Sequence, residues 1–167
     1  SDGDLVQAMK PLERLPVWVV VKLCTDDDEL VNFWNEIDAQ LELDIEVLDD
    51  FDSEAKEVME HNSFLTYGLP LHRLREHGLV KKEFDLLDEG PLTPEQMRTV
   101  ILCVLGGAPS SYPYPTTDFK GFYTAVQAAN AMNDKVRDPT RRNSWQRWVN
   151  ERKLRNLYDP TKGCSIS

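Results

Sequence analysis

Apolar residues recur along this chain with two periods, and each change of period marks a change of element. Leu5, Val6, Met9 and Leu12 fall at helical spacing within Asp4–Leu12. That predicts a short amphipathic helix, with Pro11 and Pro16 at its exit. The run Val17-Trp18-Val19-Val20-Val21-Lys22-Leu23-Cys24 is almost continuously apolar and β-branched. Such a run predicts a strand buried on both faces, as in a parallel sheet. Leu30, Val31, Phe33, Trp34, Ile37 and Leu41 return to helical spacing behind Thr25, an N-cap with Asp28 three residues on. Leu43, Ile45 and Val47 then alternate with Asp44 and Glu46, the mark of a half-buried strand. Val17–Leu48 therefore reads as a β-α-β unit with parallel strands and a right-handed crossover.

Beyond Asp50 the pattern is helical. Ser53 is the expected cap of a helix carrying Ala55, Val58 and Met59. Pro70 opens another with Leu71 and Leu74, stopped by Gly78, and Leu79–Leu87 carries Phe84 and Leu87. Thr93-Pro94-Glu95-Gln96 combines N-cap, N1 proline and N3 glutamine ahead of Met97, Val100, Ile101, Val104 and Leu105. Gly106–Thr117 is rich in Pro, Ser and Tyr and forms the best internal boundary. Asp118 then starts a helix with Phe119, Phe122, Tyr123, Val126 and Met132 on one face, and a last helix is expected from Ser144 to about Tyr158. The expected class is α/β to mostly α: a two-stranded parallel β-α-β element over 1–52, a helical region over 53–107, a loop at 108–117 and a helical basic tail at 118–167. No internal repeat is visible.

The composition is that of a globular protein, with 41% hydrophobic and 29% charged residues. No apolar run is long enough to span a bilayer, no secretory leader pattern opens the chain, and three cysteines do not make a disulfide scaffold. These features predict an intracellular, cytoplasmic protein. Net charge sharpens the picture only when divided. Residues 1–100 hold 24 acids and 9 bases, or −15; residues 101–167 hold 5 acids and 10 bases, or +5. An acidic bulk argues against nucleic acid as partner, because phosphate binding needs a positive footprint.

The segment Leu15-Pro16-Val17-Trp18-Val19-Val20-Val21-Lys22-Leu23-Cys24-Thr25-Asp26, with the helix before it and the helix and strand after it, resembles the final part of a von Willebrand factor A-like domain. Leu48-Asp49-Asp50-Phe51, Tyr67-Gly68-Leu69-Pro70-Leu71-His72-Arg73 and Phe84-Asp85-Leu86-Leu87-Asp88-Glu89 are similar to the continuation found in such proteins from microbial eukaryotes. The resemblance implies a doubly wound sheet whose earlier strands are missing here. The Asp-x-Ser-x-Ser metal motif of that family is missing too, so no metal ligand is carried over. Two parallel strands are not independently stable. The missing strands are expected from another polypeptide or a removed N-terminal part, unless residues 50–105 cover the pair. Ser1 in place of an initiator Met is what a processed product or fragment would show.

Candidate chemistry is sparse. Asp26-Asp27-Asp28-Glu29 and Asp49, Asp50, Asp52 and Glu54 have the oxygens calcium wants, but acids at helix starts answer the helix dipole. A degenerate EF-hand over Asp85–Gln96 lacks an acid at its third and twelfth positions. His61, His72 and His77 lack metal spacing and read as surface or cap residues; Cys24 and Cys103 read as core thiols. No nucleophile elbow or phosphate-binding glycine pattern occurs. Cys164-Ser165-Ile166-Ser167 resembles a prenylation box, with Cys164 the lipidation candidate beside a tail of net +6 over residues 135–162. Trp145, Trp148, Arg152, Arg155 and Tyr158 are the candidates for a partner interface. The expected function is a non-catalytic protein-interaction or structural subunit of a larger assembly, with protein partners or its own copies and no cofactor, metal or small-molecule substrate. The alternatives are a prenylated adaptor peripheral to a membrane, and a carboxylate- or metal-dependent enzyme near Asp26 and Asp49.

Overall fold

The computed structural model describes residues 2–25, 27–79 and 81–162. Two hydrophobic clusters divide it. The smaller lies under a parallel pair, β1 (Val19–Lys22) and β2 (Ile45–Leu48), in the register Val19↔Ile45 to Lys22↔Leu48. Helix α1 (Asp2–Met9), continued by a 3-10 turn over Lys10–Arg14, and the crossover helix α2 (Asp28–Asp38) cover one face. Val6 and Met9 meet Ile37, Leu41 and Leu43 there, with Val19 and Ile45 against them.

The other face of the pair inverts the expected pattern. Glu46 and Leu48 are buried, whereas Ile45 and Val47 are only half-buried. The polar side of the alternation thus points into the molecule, because a buried arginine awaits Glu46 there. The first strand is also shorter and wetter than its sequence predicts: its valines are half-buried and Lys22 is exposed. Among the described residues no third strand joins the pair, so β1 keeps an open edge. Cys24, past the last paired residue, is exposed, and so is Cys103, which lies off the inward face of Val100, Ile101 and Leu105; neither is a core thiol.

Six helices and a hairpin build the larger body: α3 (Phe51–His61), α4 (Leu69–Glu76), α5 (Lys82–Glu89), α6 (Pro94–Leu105), α7 (Phe119–Met132) and α8 (Glu151–Tyr158). Asp50, not Ser53, caps α3, accepting from the amides of Asp52 and Ser53. The Thr93–Gln96 capping box forms as the sequence predicts. Gly78, at φ 78°, closes α4: its amide donates to Arg75 and that of Leu79 to Leu74, a Schellman motif. One continuous cluster joins Val58, Phe64, Phe84, Ile101, Phe122, Val126, Val149 and Leu154. Met132, at the end of α7, is 89% exposed and leaves that face.

The expected long final helix is half replaced. Strands β3 (Val136–Asp138) and β4 (Ser144–Gln146) form an antiparallel hairpin, and helix begins only at Glu151, capped by Asn150. Arg142 and Asn143 both take left-handed backbone at the hairpin end, which breaks helical continuity there. Val149 then bridges to Leu65, and the Thr66 and Asn150 amides donate to Trp148 and Phe64. Two buried asparagines fix these joins. Asn62 donates to Leu87 and Gly90 and accepts from Leu92; Asn130 donates to and accepts from Val149. Gly68 sits so close to Val136 that a Cβ there would meet its side chain.

Candidate functional site

Between the two clusters, beside the buried Leu23 and Leu48, lies a network of charged side chains, and Arg75 is its centre. Leu71 and Arg75 lie one helical turn apart on α4, so both point inward, while Leu74 is 55% exposed. Arg75 is 1% exposed. Its Nε donates to Glu46 Oε1 at 2.8 Å, and its Nη1 donates to Glu54 Oε2 at 2.6 Å and to the Tyr67 hydroxyl at 3.3 Å. Its Nη2 lies 3.5 Å from Asp88 Oδ2. The Tyr67 hydroxyl is 3.2 Å from His72 Nδ1. The other ring nitrogen, His72 Nε2, lies 3.4 Å from Glu76 Oε1. Glu76 also binds Lys22 of β1 and, at 2.5 Å, Arg73. His72 is therefore an interior residue, not the surface or cap residue expected. His77 does take a cap position, its Nδ1 2.7 Å from the Arg73 carbonyl.

Beside Arg75 opens a cleft of about 470 Å³ between β2 and α5. Glu46, Glu54 and Arg75 form its buried floor. The Asp50 cap starts α3 so that Glu54 and Glu57 share a face, and α5 places Asp85, Asp88 and Glu89 on its own facing side. Asp38 and Asp49 complete the wall. Eight carboxylates thus meet one guanidinium. Burial pushes Asp85 up to about 6, reinforced by Glu46. Burial likewise pushes Glu54 up, against the pull of Arg75, and raises Glu57, with Asp88 adding to it. By contrast, Lys22 and Arg73 overcome the burial of Glu76 and hold it at about 2. Glu46 Oε2, Asp85 Oδ1 and Asp88 Oδ1 are buried oxygens without a hydrogen-bond partner. Among the described residues, no three His, Cys, Asp or Glu side chains are placed to hold a metal ion.

The sequence-predicted candidates separate into two groups. Trp148 and Tyr158 belong to the body's own packing: Trp148 lies against the large cluster, and the Tyr158 hydroxyl donates to Leu92 at 2.9 Å with its ring edge-on to Phe64. Trp145, 57% exposed, lies on β4 with Arg137 stacked 5.0 Å away. Arg155 pairs with Asp159 at 3.2 Å, and Arg152 is exposed. Of the acidic runs, Asp49 and Glu54 line the cleft and Asp50 caps α3. Asp27 accepts from Glu29 at the start of α2, a role expected of Thr25. Asp26 and Cys164 lie outside the described residues, as does the prenylation box. No described helix is long and apolar enough to cross a membrane.

Arg75 and Glu46 have no motif to announce them, and Asp85 and Asp88 drew notice only within segments that pointed to other roles. The available signal was an arginine one turn after Leu71, on what should be an apolar face. Comparisons with family models, with curated proteins and with solved structures give no match.

Proposed function

We propose that this chain is a non-catalytic protein-interaction subunit of a larger assembly that completes its sheet with another polypeptide. The observation that carries this reading is the open edge of the two-stranded parallel pair. Parallel sheets are almost always extended and covered on both faces. Val19 and Leu23 donate to Asp44 and Leu48 of the neighbouring segment, so the alternate amides of Val20 and Lys22 face outward. Leu15 and Val17, exposed just before β1, add apolar surface at the same edge. A strand laid there would gain main-chain hydrogen bonds, the usual source of affinity in strand addition. The sequence likeness of residues 4–48 to the end of a von Willebrand factor A-like domain fits an element that leaves strands to be supplied.

Hydrogen exchange, read on the isolated chain and on the native assembly, tests this. Val20 and Lys22 amides should exchange rapidly in the isolated chain, which should self-associate or aggregate, and should be protected in the assembly. A stable, non-aggregating monomer whose residues 2–48 unfold together with the rest in one cooperative transition overturns it.

A further inference from the structure

The β3–β4 hairpin ends in a short sequence whose chemistry the fold leaves unused. It reads Arg141-Arg142-Asn143-Ser144-Trp145: two adjacent guanidinium groups, a spacer, a hydroxyl and an apolar ring. Arg141, Arg142 and Asn143 are exposed, Trp145 is 57% exposed, and Ser144 between them is half-buried. Among the described residues, no carboxylate pairs with Arg142, and Arg141 reaches only Asp138, loosely, at 3.5 Å. The Ser144 hydroxyl is bonded within its own strand, accepting from Gln146 Nε2 at 2.9 Å.

We propose that Ser144 is a phosphorylation site for a serine/threonine kinase of the arginine-directed class. Kinases discriminate substrates by the charge pattern around the hydroxyl. Arginines three and two residues before Ser144 present planar forks that pair with carboxylates of such a kinase's cleft. Trp145, directly after Ser144, supplies the apolar contact on the other side. In the transfer, the Ser144 oxygen attacks the γ-phosphorus of ATP. An oxygen–phosphorus bond forms as the bond from that phosphorus to the bridging oxygen breaks. ADP leaves, and the hydroxyl proton passes to the catalytic aspartate of the kinase.

The hairpin can present this segment. Its strands hold three cross-strand pairs, and Arg142 and Asn143 take left-handed backbone at φ 53° and 54°. Side chains of this kind are strained there, so extending the segment relieves two residues as it gives up a short ladder. The anchors of the tail lie further on. Val149 bridges to Leu65, the Thr66 and Asn150 amides donate to Trp148 and Phe64, and Leu154 is buried. The hairpin can therefore open while α8 stays seated.

The modification also has a response built into the register. Ser144 stands opposite Asp138 in the hairpin, and the Asp138 side chain is 4% exposed. Its Oδ1 already accepts from the amide and the hydroxyl of Thr140. A phosphate on Ser144 brings roughly two negative charges against that carboxylate. Like charges directly across a sheet destabilise it. The modified hairpin should open, and with it the cavity it forms with Met59 and Ser63 of α3. The β1 edge takes no part in this.

The test is phosphorylation of the folded chain by the purified catalytic subunit of a cyclic-nucleotide-dependent kinase, with ATP and magnesium, read by intact mass and fragment mapping. One phosphate on Ser144 is expected. Ser144→Ala should abolish it. Arg141→Ala and Arg142→Ala should each lower kcat/KM about tenfold or more, with the circular dichroism of the parent retained. A kinase directed by acidic residues should leave the chain unmodified. Hydrogen exchange should become faster at Val136–Asp138 and Ser144–Gln146 in the modified chain, with protection in α8 unchanged. A folded chain that stays unmodified while a synthetic peptide of residues 137–149 is modified overturns the proposal. So does a phosphate placed on Thr140, which follows Arg137 by three residues, instead of Ser144, or a rate indifferent to both arginines. Unchanged exchange in the modified hairpin overturns the coupling to Asp138.

Discussion

The helical body and the α/β end are built on opposite terms. The body buries eighteen hydrophobic residues in one cluster drawn from six helices and the segments between them. The α/β end buries seven, only five of them in a cluster of its own, and its strands meet the body with the ion pairs Lys22–Glu76 and Glu46–Arg75. An apolar interior is bought once by exclusion of water and holds anywhere shapes fit. An ionic seam holds only while every charge keeps its partner. The body should therefore be self-sufficient, and the α/β end conditional on the seam and on what covers its edge.

The largest expected effect separates the two cores. Phe122→Ala should cost about 3–5 kcal/mol and lower unfolding of the whole chain. Ile37→Ala should release residues 2–48 while the body's amides stay protected. Equal loss of protection throughout the chain after Ile37→Ala would break the comparison. Next comes the seam: Arg75→Met leaves Glu46 and Glu54 buried without a counter-charge, which should cost about 3–5 kcal/mol in denaturant unfolding. Adding Glu46→Gln and Glu54→Gln should recover much of it.

A smaller effect is set by pH. Asp85 has a folded pKa of about 6, above its ordinary 3.8. Its contribution is fullest below 3.8 and is lost as pH rises through about 6. Asp85→Asn should thus match the parent at low pH and exceed it in melting temperature above that window. A constant offset at every pH would remove the account of Asp85 as a carboxyl raised by burial. Glu76, another carboxyl of the seam, behaves oppositely. Glu76 is held at about 2, so its contribution is present above 4.5 and lost as pH falls through that lower value. The smallest effect is Arg137→Ala, which removes one exposed cation–π contact with Trp145 and should cost about 0.5–1 kcal/mol.

Much of this protein could be read along the chain, because it is written in nearest neighbours. The Thr93–Gln96 cap, the Gly78 stop, the parallel β-α-β connection and the Asp118 helix start depend on residues within one or two turns of each other. What failed were judgements about facing. Glu46 looks like a solvent residue by alternation, and only Arg75, 29 positions away, makes its burial possible. Residues 144–150 read as the start of the last helix, yet the main-chain bonds of Thr66 and Asn150 and the bridge from Leu65 to Val149 draw them into extended chain. The −15 and +5 halves were visible at once, but not that the tail's described ion pairs are with its own acids, Asp138 and Asp159. The sequence by itself determined the local elements, their caps and the two-signed charge. Tertiary structure decided which polar residues are buried and which stay unpaired, since a desolvation cost depends on what lies across the gap, and that neighbour is distant in sequence.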